Sequence, residues 1–241
     1  RHNFPLLGLA GRVQVICARA EDYLASTAGT FALAYLDPAR RDARGGRVSA
    51  LSDCTPDCTA LLPLLRQKAR RCLLKLSPML DLSEALRAFG GWVEEAHVVS
   101  VGGECKELLL ALCLQPAAGR EMPAPEDVPL TAAVLRTAAP PLFFRFTRRE
   151  EQAATAGYAP LRGETAAYLY EPDSALLKAG ALRLPAARWG MLKAGPDSHL
   201  YLSPRHEADF PGRCFRVEDY GGMGKAELRR RVAAELYRKR C

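Results

Sequence analysis

Short apolar runs alternate with helix-like segments through the first half of the chain. The predicted strands are VQVIC (13–17), FALAYL (31–36), CLLKL (72–76), AHVVSV (96–101) and ELLLALCL (107–114). Helical spacing of apolar residues occurs at 59–71 and 81–89. Strands that alternate with helices form a mainly parallel sheet with crossover helices. Because FALAYL is apolar at consecutive positions, we predict that this strand is buried on both faces.

The last two predicted strands are separated only by GGECK at 102–106. A connection this short joins antiparallel strands, whereas parallel strands need a long crossover. Pro63 is expected in the first turn of the helix at 59–71, where proline is tolerated. The predicted fold class is therefore α/β, with a Rossmann-like sheet that ends in an antiparallel hairpin.

The sequence changes in character after Leu114. Residues 115–129 contain four prolines and are typical of a linker or surface loop. Beyond them, short strands are predicted within 134–146, 166–172, 198–203 and 213–220, with a helical region at 174–192 that is broken near Pro185. This pattern indicates a small α+β domain. We expect domain boundaries at 1–115, 116–224 and 225–241.

Charge is concentrated at the end of the sequence. The chain has 34 basic and 27 acidic residues, a net charge of +7. Between 225 and 241, two acidic residues accompany seven basic ones: Lys225, Arg229, Arg230, Arg231, Arg238, Lys239 and Arg240. A basic helix suits phosphate contacts, and it suits a solvated face equally well.

The composition also bears on the compartment. A chain of this length does not need disulfide bonds to be stable, so its eight cysteines favour a reducing cytoplasm. No signal peptide is visible, and no apolar stretch of about 18 residues predicts a membrane span. The chain begins at Arg1 without an initiator methionine, so we expect a fragment of a longer protein.

The segment YLDPARRD places an aspartate directly after a predicted strand. Asp37 follows the run 31–36 and precedes Pro38. Ligands of open α/β sheets bind at the carboxyl ends of strands, which makes Asp37 a candidate site residue. An aspartate before proline also commonly opens a turn, so a purely structural role is the alternative.

Several ordered blocks carry a resemblance to a known family. They are YLDPARRD, LSDCTPD (51–57), LLKLSPMLDL (73–82), VVSVGGECKELLL (98–110), YEPDSALLKAGAL (170–182), HLYLS (199–203) and FPGRCFRV (210–217). Together they resemble bacterial class I S-adenosylmethionine-dependent methyltransferases that carry a C-terminal ferredoxin-like domain and then a THUMP-like domain. The resemblance implies S-adenosylmethionine as cofactor. It also implies RNA as substrate, because of the domains that accompany the catalytic domain in this family.

The resemblance also implies roles for residues around Asp37. Asp37-Pro38 is similar to the Asp/Asn-Pro-Pro motif of amino-methylating nucleic-acid enzymes, in which the side-chain oxygen accepts a hydrogen bond from the target nitrogen. The implied substrate-binding residues are Pro38, Ala39, Arg40, Arg41, Ser77 and Pro78. Ala39 stands where the motif has its second proline, and no aromatic residue follows to stack on a base.

Cofactor residues are expected near the beginning of the chain. By resemblance, Ala20, Glu21 and Asp22 follow a strand where an acidic residue contacts the adenine, although acids are also favoured at helix N-termini. The Gly-rich cofactor turn is expected upstream of residue 1. The VGG at 101–103 is followed by Glu104 and not by a helix, so it cannot serve this role, and we expect the fragment to be inactive alone.

Other chemistry has weaker support. Cys54 and Cys58 form a CxxxC pair without a second pair or a nearby histidine, which disfavours a zinc site, and no metal is expected. Cys72 begins a strand and does not follow one, which disfavours a cysteine nucleophile. A non-catalytic RNA- or ribosome-binding scaffold, and a protein-interaction module with an exposed apolar patch, remain alternatives.

Overall fold

A six-stranded mixed sheet with the order β1-β2-β4-β3-β5-β6 dominates the first two thirds of the chain. The structure is a computed structural model that describes residues 3–9, 11–39, 51, 54–159, 166–218, 224–227 and 229–230. The strands of this sheet are β1 (Phe31–Leu36), β2 (Ala69–Leu76), β3 (Val93–Val101), β4 (Glu104–Cys113), β5 (Leu130–Arg136) and β6 (Ala139–Phe146).

Strand directions agree with the predicted fold class. β1 pairs with β2 in parallel, β3 pairs with β5 in parallel, and β6 runs antiparallel to β5. The N–H of Leu114 donates to the carbonyl of Arg70, which places the end of β4 beside the start of β2. β4 is therefore the reversed strand of the predicted hairpin. It lies between β2 and β3 and does not end the sheet, which continues into β5 and β6.

Local sequence signals explain where these strands turn and stop. Gly102 and Gly103 have φ angles of 60° and 84° and form the two-residue connection between β3 and β4. Positive φ at both central positions is what such a hairpin turn requires, and glycine adopts it without steric cost. Pro140 and Pro141 lie in β6, the last strand in the sheet order, where a missing N–H is tolerated.

Helices precede and connect the strands: α1 (Asn3–Leu6), α2 (Ala20–Ser26), α3 (Cys58–Lys68), α4 (Leu82–Ala88) and α5 (Arg148–Ala153). Asp57 caps α3 and Asp81 caps α4 through side-chain acceptors. Pro63 is the sixth residue of α3, so its predicted place in the first turn was wrong. The predicted end of this helix was also too late, because β2 already begins at Ala69.

The predicted strand at 13–17 was wrong. These residues have no regular secondary structure, and Val13, Val15 and Ile16 are 38–47% exposed. A strand requires a hydrogen-bonded neighbour, and no described strand pairs with this segment. The bounds of β1 were predicted correctly, but its burial was not: Leu33 and Tyr35 are both 58% exposed, because β1 is the first strand in the sheet order.

A second, four-stranded antiparallel sheet has the order β10-β7-β9-β8. Its elements are β7 (Tyr168–Pro172), α6 (Ser174–Ala179), α7 (Leu184–Trp189), β8 (Leu192–Lys193), β9 (Tyr201–Ser203) and β10 (Gly212–Arg216). Its core contains Tyr170, Tyr201, Phe210 and Met191. The predicted helical region breaks at Gly180, which ends α6 with a φ of 84°, and not at Pro185, which lies in the first turn of α7.

By packing, the chain divides into two compact units, Arg1–Glu95 with Leu109–Pro125 and Ala96–Leu108 with Glu126–Cys241. The sequence-based domain boundaries remain predictions. Residues 225–227 and 229–230 are helical, and the rest of the predicted basic helix, including Leu228, Val232 and Leu236, lies outside the described residues. No helix in the described part of the chain is long and apolar enough to cross a membrane.

Candidate functional site

Asp37 and Lys75 form an ion pair where β1 and β2 end. The register pairs Leu36 with Leu74, so the next residues along these parallel strands lie side by side. Lys75 Nζ is 2.5 Å from Asp37 Oδ2, and the two side chains are 23% and 44% exposed, respectively. The predicted site residue Asp37 is therefore accessible, at the carboxyl edge of two parallel strands, with a cation as its neighbour.

The two residues after Asp37 are held by burial of Pro38 and by backbone hydrogen bonds of Ala39. Pro38 is buried. The N–H of Ala39 donates to the carbonyl of Thr55 at 2.7 Å, and the N–H of Thr55 donates back to the carbonyl of Ala39 at 3.3 Å. This antiparallel bridge holds the Asp-Pro turn against the segment that leads into α3. Ala39 contributes its backbone to this contact, and its methyl side chain supplies no polar group.

Ser77 and Pro78 follow β2 at the same edge as Asp37. Ser77 is 7% exposed, its Oγ accepts a hydrogen bond from the N–H of Met79, and its carbonyl accepts one from Leu80. Its side chain thus stabilises a turn. Met79, which was not singled out from the sequence, is 68% exposed beside it. Arg40 and Arg41 lie outside the described residues.

The candidate cofactor residues begin α2. Ala20 lines a hollow of about 300 Å³ together with Gln14, Ile16, Ala18 and Tyr23. Glu21 lies 3.5 Å from Arg19, and a hydrogen bond from its own backbone N–H, with a smaller contribution from Arg19, lowers the pKa of its carboxyl group. Asp22 is exposed. Among the described residues, none of these three forms a hydrogen bond or ion pair with Asp37.

Four cysteines of the first unit are buried: Cys54, Cys58, Cys72 and Cys113. Burial raises the pKa of Cys72 to about 12, and burial together with Cys54 and Cys72 raises the pKa of Cys58 to about 12. A thiolate and not a thiol is the nucleophile, so Cys58 and Cys72 are poor candidates for cysteine catalysis at neutral pH.

A basic surface with an aromatic residue lies where α3 passes into β2. The guanidinium carbon of Arg66 is 3.8 Å from the centroid of a Trp92 ring. Both residues line a groove of about 550 Å³ with Gln67 and Gln115. Exposed Arg70 and Arg71 follow in sequence, and Arg71 contacts Glu94 at 3.4 Å. The carbonyl of Arg70 accepts hydrogen bonds from the N–H groups of Leu114 and Gln115, which line the same groove. We call Arg66, Arg70 and Trp92 the RQKARR surface.

Two site features were missed from the sequence. Lys75 is the one charged residue of the predicted strand CLLKL (72–76), a signal that could have drawn attention to it. Its contact with Asp37, however, depends on the register between β1 and β2. The basic run of the RQKARR surface was visible as well, but its approach to Trp92 depends on packing.

Comparison with known proteins agrees with this fold. A ferredoxin-like domain family matches residues 168–211. A crystal structure from Porphyromonas gingivalis W83, of a protein provisionally named a methyltransferase, is 37% identical with a TM-score of 0.71. The match covers 84% of this chain and 47% of that one, so the chain spans about half the length of the solved structure. None of the curated proteins matches the chain.

These observations define a class. The chain has a methyltransferase-like mixed α/β fold together with a ferredoxin-like domain. One protein that it resembles in both sequence and structure is the methyltransferase-named protein of P. gingivalis.

Proposed function

We propose that this chain is part of an S-adenosylmethionine-dependent methyltransferase that acts on RNA, with Asp37-Pro38 shaping the methyl-acceptor pocket. The observation that carries the proposal is the accessible carboxylate of Asp37, at the carboxyl edge of parallel strands in a fold shared with a methyltransferase-named protein. In open α/β sheets this edge is where ligands bind.

Asp37 would act by positioning the acceptor. A carboxylate oxygen accepts a hydrogen bond from the acceptor N–H, and the Pro38 turn fixes the direction in which that oxygen points. The acceptor nitrogen would gain the methyl group as the bond from that group to the sulfonium sulfur breaks, which leaves a neutral thioether. The nitrogen would lose one proton to solvent. Such orientation can change rates by about a hundredfold without strong acid–base chemistry.

The residues around α2 fit one part of the proposed cofactor. S-adenosylmethionine supplies an electrophilic methyl group when bound. Ile16 and Tyr23 offer an apolar wall beside Ala20, while Glu21 and Asp22 offer acceptors for an amine. These residues would hold the adenosine, and we propose that a Gly-rich turn outside these 241 residues would hold the methionine part.

RNA as substrate is supported by the RQKARR surface. Arginine forms bidentate contacts with phosphate, and guanidinium and indole planes provide surfaces for base stacking. The basic segment at 225–241 supplies further positive charge for phosphate contacts. We propose that it leads into a THUMP-like RNA-binding region. The free thiols of all seven described cysteines are compatible with the proposed reducing cytoplasm.

Calorimetry with S-adenosylmethionine tests the proposal. We expect the natural full-length protein to bind it, and the 241-residue chain to bind it weakly or not at all. In the full-length protein, Asp37→Ala should lower methyl transfer to RNA about a hundredfold while cofactor affinity is retained. Glu104→Gln, which removes an exposed carboxylate from the start of β4, is the matched control.

A second candidate is a non-catalytic RNA- or ribosome-binding scaffold on a degenerate methyltransferase fold. Ala39, in place of the second proline of the motif, favours it, because the structure gives this residue a backbone role only. If the full-length protein binds RNA but not S-adenosylmethionine, the enzyme proposal fails and the scaffold is the better account.

A further inference from the structure

We infer that Lys75 is a positioning residue for Asp37 and makes the acceptor pocket selective for an uncharged amino group. The inference rests on the proposed function and deepens it. Lys75 lies on β2, the neighbour of the strand that ends at Asp37, and its Nζ is 2.5 Å from Asp37 Oδ2. Because the contact joins two strands of one sheet, the backbone fixes both partners.

The ion pair occupies only one of the two carboxylate oxygens. Lys75 contacts Oδ2, and no described residue donates a hydrogen bond to Oδ1 of Asp37. A carboxylate has lone pairs for about four hydrogen bonds, so Oδ1 remains able to accept one from a substrate. Lys75 thereby fixes the rotation of the carboxylate group and leaves one oxygen for the acceptor.

The same contact places a cation beside the Asp37 carboxylate. Asp37 and Lys75 together are neutral, and the Lys75 side chain is only 23% exposed, so water screens its charge incompletely. An alkylammonium substrate would have to approach Asp37 against this neighbouring cation. An uncharged exocyclic amino group, such as those of nucleobases, can donate to Oδ1 without that repulsion. The pocket therefore selects uncharged amino groups.

Lys106 provides a matched control. It forms an ion pair of similar length, 2.6 Å, with Glu104, but its side chain is 43% exposed and both partners lie on one strand, β4. Exposed pairs of this kind contribute little. Replacing Lys106 by methionine removes one lysine and its ion pair with Glu104, just as Lys75→Met removes one lysine and its ion pair with Asp37.

The test measures methyl transfer by the natural full-length protein to two probes. One is a pool of unmodified RNA transcripts, whose amino groups are uncharged, and the other is polylysine, whose side chains are ammonium ions at pH 7. Wild type should methylate RNA only. Lys75→Met should lower kcat on RNA about tenfold with cofactor affinity unchanged, and should reduce the preference for RNA over polylysine. Lys75→Arg, which keeps the positive charge, should retain most of the wild-type kcat on RNA. Lys106→Met should have the wild-type kcat and the wild-type preference for RNA.

A double substitution separates positioning from general destabilisation. If Lys75 acts through Asp37, Lys75→Met should cause no further loss in an Asp37→Ala background. A Lys75→Met protein that binds cofactor and methylates RNA at the wild-type rate overturns this inference alone. A wild-type protein that methylates neither probe overturns the methyltransferase proposal and this inference with it. Wild-type methylation of polylysine but not of RNA overturns the selectivity for uncharged amino groups.

Discussion

Asp57 shows what a single side chain contributes at the start of a helix. Its Oδ1 accepts hydrogen bonds from the Thr59 hydroxyl at 2.6 Å, the Thr59 N–H at 2.9 Å and the Ala60 N–H at 3.3 Å. The two N–H groups belong to the first turn of α3 and have no acceptor within the helix. Asp57 therefore anchors α3. Thr55, which lies two residues before Asp57, pairs with Ala39 next to the candidate site.

We expect Asp57→Ala to lower the free energy of unfolding by about 1 kcal/mol at pH 7, as is typical for loss of an N-cap. Urea unfolding followed by circular dichroism measures it. Asp197→Ala, which removes an exposed aspartate from a loop, is the control and should change stability far less. Equal stability of Asp57→Ala and wild type would contradict the capping role.

The contribution of Asp57 should also depend on pH. The Thr59 hydroxyl, with the Ala60 and Thr59 N–H groups, holds the pKa of Asp57 below its ordinary value of 3.8. A carboxyl group whose pKa is lower in the folded state stabilises the fold above its ordinary pKa, and this stabilisation is lost as pH falls. The difference between wild type and Asp57→Ala should therefore shrink when unfolding is measured below pH 3.8, and a difference that grows would contradict this assignment.

At the scale of secondary-structure elements, the junction of α3 and β2 concentrates positive charge. Arg66 belongs to the last turn of α3, and Arg70 and Arg71 belong to β2. Because the strand begins directly after the helix, with no loop between them, these arginines are displayed on adjacent rigid elements. The RQKARR surface is thus suited to a fixed arrangement of phosphates.

We predict that Arg66→Ala and Arg70→Ala each weaken RNA binding. The slope of log affinity against log salt concentration should become shallower by about 0.7 for each arginine that contacts a single-stranded phosphate. Fluorescence anisotropy with labelled RNA across a salt series measures both effects. Arg12→Ala, at an exposed position in the segment before α2, is the control for loss of charge alone. Unchanged slopes would exclude this surface from RNA binding.

For the whole molecule, the distribution of thiols reports on packing in both units. Cys17 and Cys214 are exposed, whereas Cys54, Cys58, Cys72 and Cys113 are buried. A thiol-specific reagent should modify the first two rapidly in the native protein and the other four only in urea, as peptide mass spectrometry can determine. Because the pKa values of Cys58 and Cys72 are raised to about 12, they should stay slow even at pH 9. Fast native modification of either would contradict the described core.

The sequence by itself determined the features that depend on neighbouring residues. The bounds of β1 follow from a continuous apolar run, and the β3–β4 hairpin follows from two glycines between apolar segments. The α/β class follows from their alternation. Local backbone preferences and side-chain periodicity produce these features without reference to distant parts of the chain.

Only the tertiary structure decided which distant segments meet. The strand predicted at 13–17 fails because no described strand pairs with it, and β4 lies between β2 and β3 because pairing is chosen among all strands at once. Asp37 could be predicted as a site residue from its place after a strand. Lys75 could not, since its contact requires the register that pairs Leu36 with Leu74. Register depends on the fit of whole strand faces, and the residues within one strand do not specify it.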